Sequence, residues 1–576
     1  MITFGPMPTL VLTHPAALRP PPSSRRARAL AILATLYMLT ALAPPLGAQR
    51  LSHTEDAIPI PGGWLRFTVG NAWTRYDSRF GENGTTIPLG AELSTDSLGP
   101  RELPRMAPIE GALQTLTNNP AQRLTFGRLE VQSDARIVTT PFALEYGVTR
   151  RFSIGVLVPM VQTRRTAHVR VNQRATGDTT KTSNVGILPV AGRATAATNN
   201  AALVTSLAQA AASLTGLLTR CAQNPAAVEC NAVRGKEADA TAAAKRASDF
   251  AGAVATAYGI TPQTAVVAPL ENSQLAKTIE AQRAALAAQL ATYLPGTTIS
   301  PLGTVATTEF SYVDLQGRDR IPGLLGSTLG GGLDSIATTE RIALGDVEVR
   351  ARVLLIDRTQ RDSLPTRGAQ VRLAVGGIAR FATSRPDTAR NLVDIGTGEG
   401  AGAEVRSVLD VAAKRVGATI AARYAKSFAR TVTVPLVGYP TGGFPYPEFG
   451  EVSRTFGDVF GLDVTPRVFV GDWLAFEGQY GMERIGAPTF TGPADSPCSA
   501  CVVTESSILP TETTVQRLGL GVRYSTVDSF LRGRARYPIE VSYRHLETIT
   551  GDAGTPKDFR DQLQLRIYYR VRRQRQ

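Results

Sequence analysis

Residues 141–161, PFALEYGVTRRFSIGVLVPMV, hold two alternating runs with almost nothing between them. Phe142, Leu144, Tyr146 and Val148 alternate with smaller or polar residues. After Thr149-Arg150-Arg151 the alternation resumes at Phe152, Ile154, Val156, Val158 and Met160. A period of two puts one residue set on one face of a strand, so the stretch predicts a β-hairpin with an oily side. Similar hairpins recur through the chain, all after an export leader. The pattern predicts a transmembrane antiparallel barrel.

The leader sets the compartment. Arg25, Arg26 and Arg28 precede an apolar run over residues 29–43, about 15 residues and too short to cross a bilayer as a helix. Leu46-Gly47-Ala48 is an A-x-A-like cleavage site, which puts the mature start at Gln49. No later stretch approaches ~18 consecutive apolar residues. The formal charge is +14; residues 1–48 hold Arg19, Arg25, Arg26 and Arg28 and no acid, so the mature chain carries 14 − 4 = +10. Export argues against a nucleic-acid partner for that excess, and few of the basic residues form dense runs, the main exception being residues 570–575. The cysteines fall in two local pairs, Cys221 with Cys230 and Cys498 with Cys501. In an oxidising compartment both pairs are expected as structural disulfides. The second is a CxxC with neither a partner CxxC nor a nearby histidine, so no metal site is expected.

Read in order, residues 49–171 give a short periplasmic lead (residues 49–61) and strands 1 to 3, with a long loop at 77–125 and a short helix near 109–116. In strand 2, Leu129, Val131, Ala135 and Ile137 are assigned to the lipid face, against Arg128, Glu130, Asp134 and Arg136 inside. The face then switches at Pro141, where a bulge is expected, because proline cannot donate to a ladder. An insertion follows at 172–341. Its alanine-rich middle, 199–293, predicts two or three packed helices, with Leu203, Leu207, Leu214 and Leu218 at helical spacing. Residues 342–576 return to barrel strands 4 to 12, with tight turns at Lys414-Arg415 and Gly471-Asp472-Trp473. The glycines of residues 396–400 lack a following helix and are expected as a flexible turn. About twelve strands, an even number, put both termini on one side. Long connections follow the odd strands, which places the insertion outside the cell, or folded back over or into the mouth.

Alternation alone does not distinguish inside from outside. Strand length, aromatics near strand ends (Trp64, Trp73, Tyr146, Trp473, Tyr569) and alternating loop lengths favour lipid contact for the oily face. The enclosed face then holds Arg66, Arg136, Glu348, Arg350, Arg352, Arg372, Arg380, Arg406, Asp410, Arg423, Glu477, Arg523, Glu540 and Arg566 as lumen-lining candidates. Arginine pairs carboxylates through a rigid fork. A cross-strand network that stiffens the barrel is the favoured reading of these charges, and an arginine-lined path for anionic solutes the sharper one.

The EYGVTRRFSIGVLVP segment within 142–161 resembles outer-membrane proteins grouped as transporters of the meta-pathway of phenol degradation. Asp394-Ile395-Gly396-Thr397-Gly398 is similar to them as well. The resemblance covers the barrel strands, about half the chain, and implies uptake of small, often aromatic or hydrophobic compounds. The helical insertion departs from the pattern, and no functional residue carries over. The resulting expectation is an outer-membrane channel or transporter, partnered by outer-membrane lipid, a small solute and the barrel-assembly machinery. The alternative is a surface interaction protein with the barrel as anchor. No catalytic residue or cofactor is expected: only His53, His168 and His545 follow the leader, with no base–nucleophile constellation.

Overall fold

The computed structural model describes residue 57 and residues 60–571, apart from 175–181, 304, 319–320, 328, 360–369, 388–389, 392, 436–448, 492–511 and 532. The leader, Cys498, Cys501 and residues 572–575 of the basic tail lie outside the described residues. Twelve strands form the barrel: β1 (Trp64–Tyr76), β2 (Leu129–Gly147), β3 (Phe152–Val171), β4 (Val347–Thr359), β5 (Gln370–Phe381), β6 (Gly402–Ala413), β7 (Val416–Ser427), β8 (Val459–Val470), β9 (Leu474–Ile485), β10 (Thr513–Ser525), β11 (Ile539–Gly551) and β12 (Phe559–Arg570). Each pairs antiparallel with its neighbours, and β12 returns to β1 from Trp64↔Arg570 to Arg75↔Phe559, which closes the sheet. Closure leaves no barrel edge with unpaired backbone groups, as a strand crossing hydrocarbon requires.

The two faces are partitioned opposite to a water-soluble protein. Leu520 is 75% exposed on the outer face, and Phe67, Leu144, Ile154, Val349, Leu563 and Ile567 are exposed with it. Glu477 is only 3% exposed, and Arg66, Arg423, Glu540 and Arg566 are buried like it. An oily belt around enclosed charges fits hydrocarbon outside. Aromatic contacts mark one rim, with Trp473 edge-on to Tyr524 and Trp64 edge-on to Phe530.

β2 and β3, at 19 and 20 residues, outlast the other strands. Their pairing runs unbroken through Pro141↔Pro159, so the expected bulge is absent. Leu129, Val131, Ala135 and Ile137 are buried, whereas Arg128, Asp134 and Arg136 are exposed. The inner set thus keeps one parity along the whole strand, and its chemistry changes instead. Above the belt the outer face meets water and becomes polar, and the inner face becomes oily. Leu129 and Val131 join the core of a helical cap.

The cap holds α1 (Ala107–Thr117), α2 (Val190–Gln223), α3 (Glu237–Tyr258) and α4 (Gln274–Tyr293). Their stripes pack on one another: Leu113 and Leu116, Leu203 and Leu207, Phe250 and Val254, and Ile279 and Leu290 share one buried core. A Cys221–Cys230 disulfide ties the end of α2 to the following turn. Glu309 clamps the base of the insertion by bonding Arg174 and the Thr182 amide. Burial pushes its carboxyl up, but the Arg174 and amide bonds outweigh it and leave the group below its ordinary range. Thr455, expected as the first residue of the eighth barrel strand, instead ends a strand, Phe449–Thr455, of a separate three-stranded sheet.

Arginine at Val349 or Leu563 is expected to cost about 2–4 kcal/mol at mid-belt depth. The folded fraction, read as the heat-modifiable band after refolding into vesicles, should drop for both, whereas Arg at exposed Asp134 should leave it unchanged. Serine at Cys221 and Cys230 should loosen the cap by roughly 2–3 kcal/mol, read by limited proteolysis of the insertion.

Candidate functional site

Inside the barrel, single carboxylates repeatedly bridge two arginines. Glu348 takes Arg350 at 2.5 Å and Arg380 at 3.2 Å. Glu483 takes Arg423 and Arg517, both at 3.1 Å. Asp558 takes Arg517 at 3.3 Å and Arg560 at 2.5 Å. Nearer the terminal rim, Glu477 holds Arg467 at 3.0 Å and Arg544 at 2.9 Å, and Glu540 holds Arg523 at 2.5 Å and Arg566 at 2.8 Å. Bringing a charge out of water costs several kcal/mol per ion, and shared pairing is what offsets that cost.

The other candidates fall into the same fabric. Arg66 meets Glu145 at 2.5 Å, Arg372 meets Asp357 at 3.5 Å, and Arg406 meets Glu404 at 2.5 Å. Arg352 is half-buried beside Arg350 and Arg406. Asp410 accepts from Thr419 and reaches Arg467 at 3.9 Å. Arg136 is the exception: it is exposed on the outer face. Its assignment to the interior followed from the same reading that predicted a bulge.

Several groups escaped the sequence reading. The Arg467–Glu477 pair comes from a register of β8 on β9 that no local pattern reveals. Glu399 lies in the glycine-rich loop read as a flexible turn. It is instead 3% exposed and 3.5 Å from Arg380. Asp346 pins that loop, accepting from the Gly400 amide at 2.8 Å and the Ser384 amide at 3.1 Å. Ala57, expected in a periplasmic lead, instead lies inside the barrel. It packs among Leu354, Ala374, Val408 and Ala421, and its amide donates to Asp410 at 2.5 Å. His545 lies on the outer face, 2.9 Å from Asp561.

Set among the Glu348, Glu483 and Asp558 clusters is a chamber of about 250 Å³. One wall is oily: Ile137, Leu157, Pro159 and Val161 from β2 and β3, with Ile485 and Val515 opposite. The other is charged, carrying Glu348, Arg380, Glu483 and Arg517, and the loop around Ile395–Glu399 bounds it. Of these, Ile137 belongs to the part of β2 on which the sequence reading reversed the sides, whereas Leu157 and Val161 lie opposite the exposed Ile154, Val156 and Met160, as the alternation of β3 reads. A second chamber of about 100 Å³ lies nearer the terminal rim, between Arg372, Arg467, Phe469, Trp473 and Arg523. Fold and interior together define the class: a closed twelve-stranded membrane barrel with a mixed-polarity chamber inside.

No family model matches the chain, and no curated protein matches it. Among solved structures it is similar to an outer-membrane channel from Pseudomonas putida F1, with 8% identity and a TM-score of 0.37 over 90% of this chain and 99% of that one. It is also similar to the translocator domain of the autotransporter NalP from Neisseria meningitidis, at 8% identity, TM-score 0.25, and 94% and 98% coverage. The toluene transporter TbuX of Ralstonia pickettii gives 7% identity, TM-score 0.24, and 92% and 95% coverage.

Replacing Glu477 with Gln should leave Arg467 and Arg544 facing each other without their shared carboxylate. The expected loss is about 3–5 kcal/mol, read as a lower urea midpoint for the vesicle-inserted protein. An E477Q/R544Q double variant should recover part of it.

Proposed function

We propose that the protein is an integral outer-membrane channel that passes small solutes with an apolar or aromatic body. The leader and the even strand count support the outer membrane, with the cap on the outer side and the barrel-assembly machinery and outer-membrane lipid as partners. The observation that carries the solute class is the oily wall of the upper chamber. A dry cavity of about 150 Å³ is enough to take a benzene ring, and the chamber holds about 250 Å³. The charged wall would orient a polar substituent while the β2–β3 wall accepts the body.

Toward the terminal rim, the Glu477 and Glu540 clusters and Ala57 narrow the way. Arg66, Arg350, Arg372, Arg380, Arg406, Arg423, Arg523 and Arg566, with Glu348, Asp410, Glu477 and Glu540, are the proposed lining. Arginine shared two to a carboxylate leaves a local positive excess, which favours anions among charged solutes. The reading of the barrel as a mere anchor for a docking cap finds less support, because the helical stripes are spent on one another.

Protein reconstituted in planar bilayers should give small, weakly anion-selective conductance steps, and vesicles should take up single-ring aromatics. Leu157→Trp, which fills the chamber, should cut aromatic uptake at least about tenfold with the folded fraction unchanged. Folded protein with neither conductance nor solute flux would rule the channel out.

A further inference from the structure

The outer face carries a charge arrangement that the enclosed network leaves unexplained. Arg75 on β1 is the register partner of Arg136 on β2, and Arg136 is the partner of Arg164 on β3. All three are exposed. Residues directly opposed on neighbouring strands hold their Cβ atoms about 4.5–5.5 Å apart, and like charges so placed repel. Glu340, opposite Arg164, and Asp561, in the field of Arg75, offset part of this repulsion at the two flanks, whereas Arg136 in the middle has an arginine on either side.

The height of the rung says what could offset the rest. Immediately below it on the same face stand Trp73, Val138 and Gln162, which are partners of one another in register. Below those come Val69, Phe142 and Val158 of the oily belt. The arginines thus occupy the first charged rung above hydrocarbon, at the level of lipid headgroups, and a tryptophan sits at the boundary as an interfacial anchor does.

The nearest acids are otherwise engaged. Glu340, opposite Arg164, accepts from the Gln162 amide at 2.7 Å. Asp561, on the Arg75 flank, accepts from the Tyr543 hydroxyl at 2.7 Å and bonds His545 at 2.9 Å. Asp134 lies a rung higher, opposite Thr166. Among the described residues, none of the three closes an ion pair with the row.

We propose that Arg75, Arg136 and Arg164 form a binding site for the phosphorylated sugar headgroup of an outer-leaflet glycolipid. The proposal rests on the outer-membrane reading above. A guanidinium offers parallel N–H donors that match a phosphate, and a row of three matches a headgroup with more than one. Gln162 and Thr166 flank Arg164 on the same face and supply hydrogen-bonding groups suited to sugar hydroxyls. A ring of bound glycolipid along β1 to β3 would seat the hairpin that carries the chamber's oily wall.

The test uses the full processed protein, folded in nonionic detergent and titrated with purified lipopolysaccharide, with its dephosphorylated form, and with phosphatidylglycerol. Binding to lipopolysaccharide is expected, with R75Q/R136Q/R164Q weakening it by about tenfold or more, as losing charge-assisted contacts should. Lys414→Gln with Arg415→Gln, at the opposite rim, should leave it intact. Dephosphorylation should weaken binding as much as the triple variant does. If the triple variant folds poorly, R136Q alone, in the middle of the row, should weaken binding measurably. Equal binding by wild type and the variants would overturn the proposal. So would phosphatidylglycerol binding as tightly as the glycolipid, which would reduce the row to a general anionic-lipid contact. A parallel refolding into phosphatidylcholine vesicles separates the two readings: failure to insert sinks the membrane assignment itself, whereas insertion without glycolipid binding sinks only this site.

Discussion

A carboxylate enclosed by strands and gripped by two arginines is the unit from which the interior is built. Glu477, at 3% exposure between Arg467 and Arg544, could not hold its charge alone in that position. Because each acid serves two guanidiniums and several arginines serve two acids, the links run from strand to strand around the wall. Arg517 joins Glu483 to Asp558, and Arg380 joins Glu348 to Glu399. A barrel with this lining has only one direction in which to turn its oily residues, which is outward to lipid.

That outward commitment has a vertical limit, and the limit shapes the site. Where β2 and β3 leave the hydrocarbon, their outer residues must meet water, so Arg136 and Asp134 appear there. At that height their inner residues become oily, as Ile137 and Val161, and with Leu157 beside Glu348 they face the charged wall across the chamber. One change of solvent along one hairpin thus yields an oily chamber wall inside and a basic rung outside. The cap closes over the same hairpin through Leu129 and Val131.

The loop that carries Glu399 shows how context overrules local reading. Its glycines lack the helix that a phosphate cradle needs, and flexibility was the natural inference. In the fold, Asp346 draws the loop into the mouth through two backbone amides. Gly398 has no room for a side chain there, since an added Cβ would fall 2.3 Å from the Asp346 carboxylate. The absence of a side chain permits close packing at this position, where a sequence pattern alone reads as slack.

The sequence by itself determined the strands, their number, the tight turns and the helical insertion, because alternation and helical spacing are local and each strand records its own two faces. It also marked most of the enclosed charges, since on a membrane strand the charged set has only one place to go. What it left open was every property set by neighbours distant in the chain. The Arg66–Glu145 pair spans 79 positions, and Ala57 reaches Asp410 across 353. Alternation has the same form whichever side is wet, so only the closed sheet, by fixing where hydrocarbon ends along β2, decided that Arg136 faces out and Ile137 faces in.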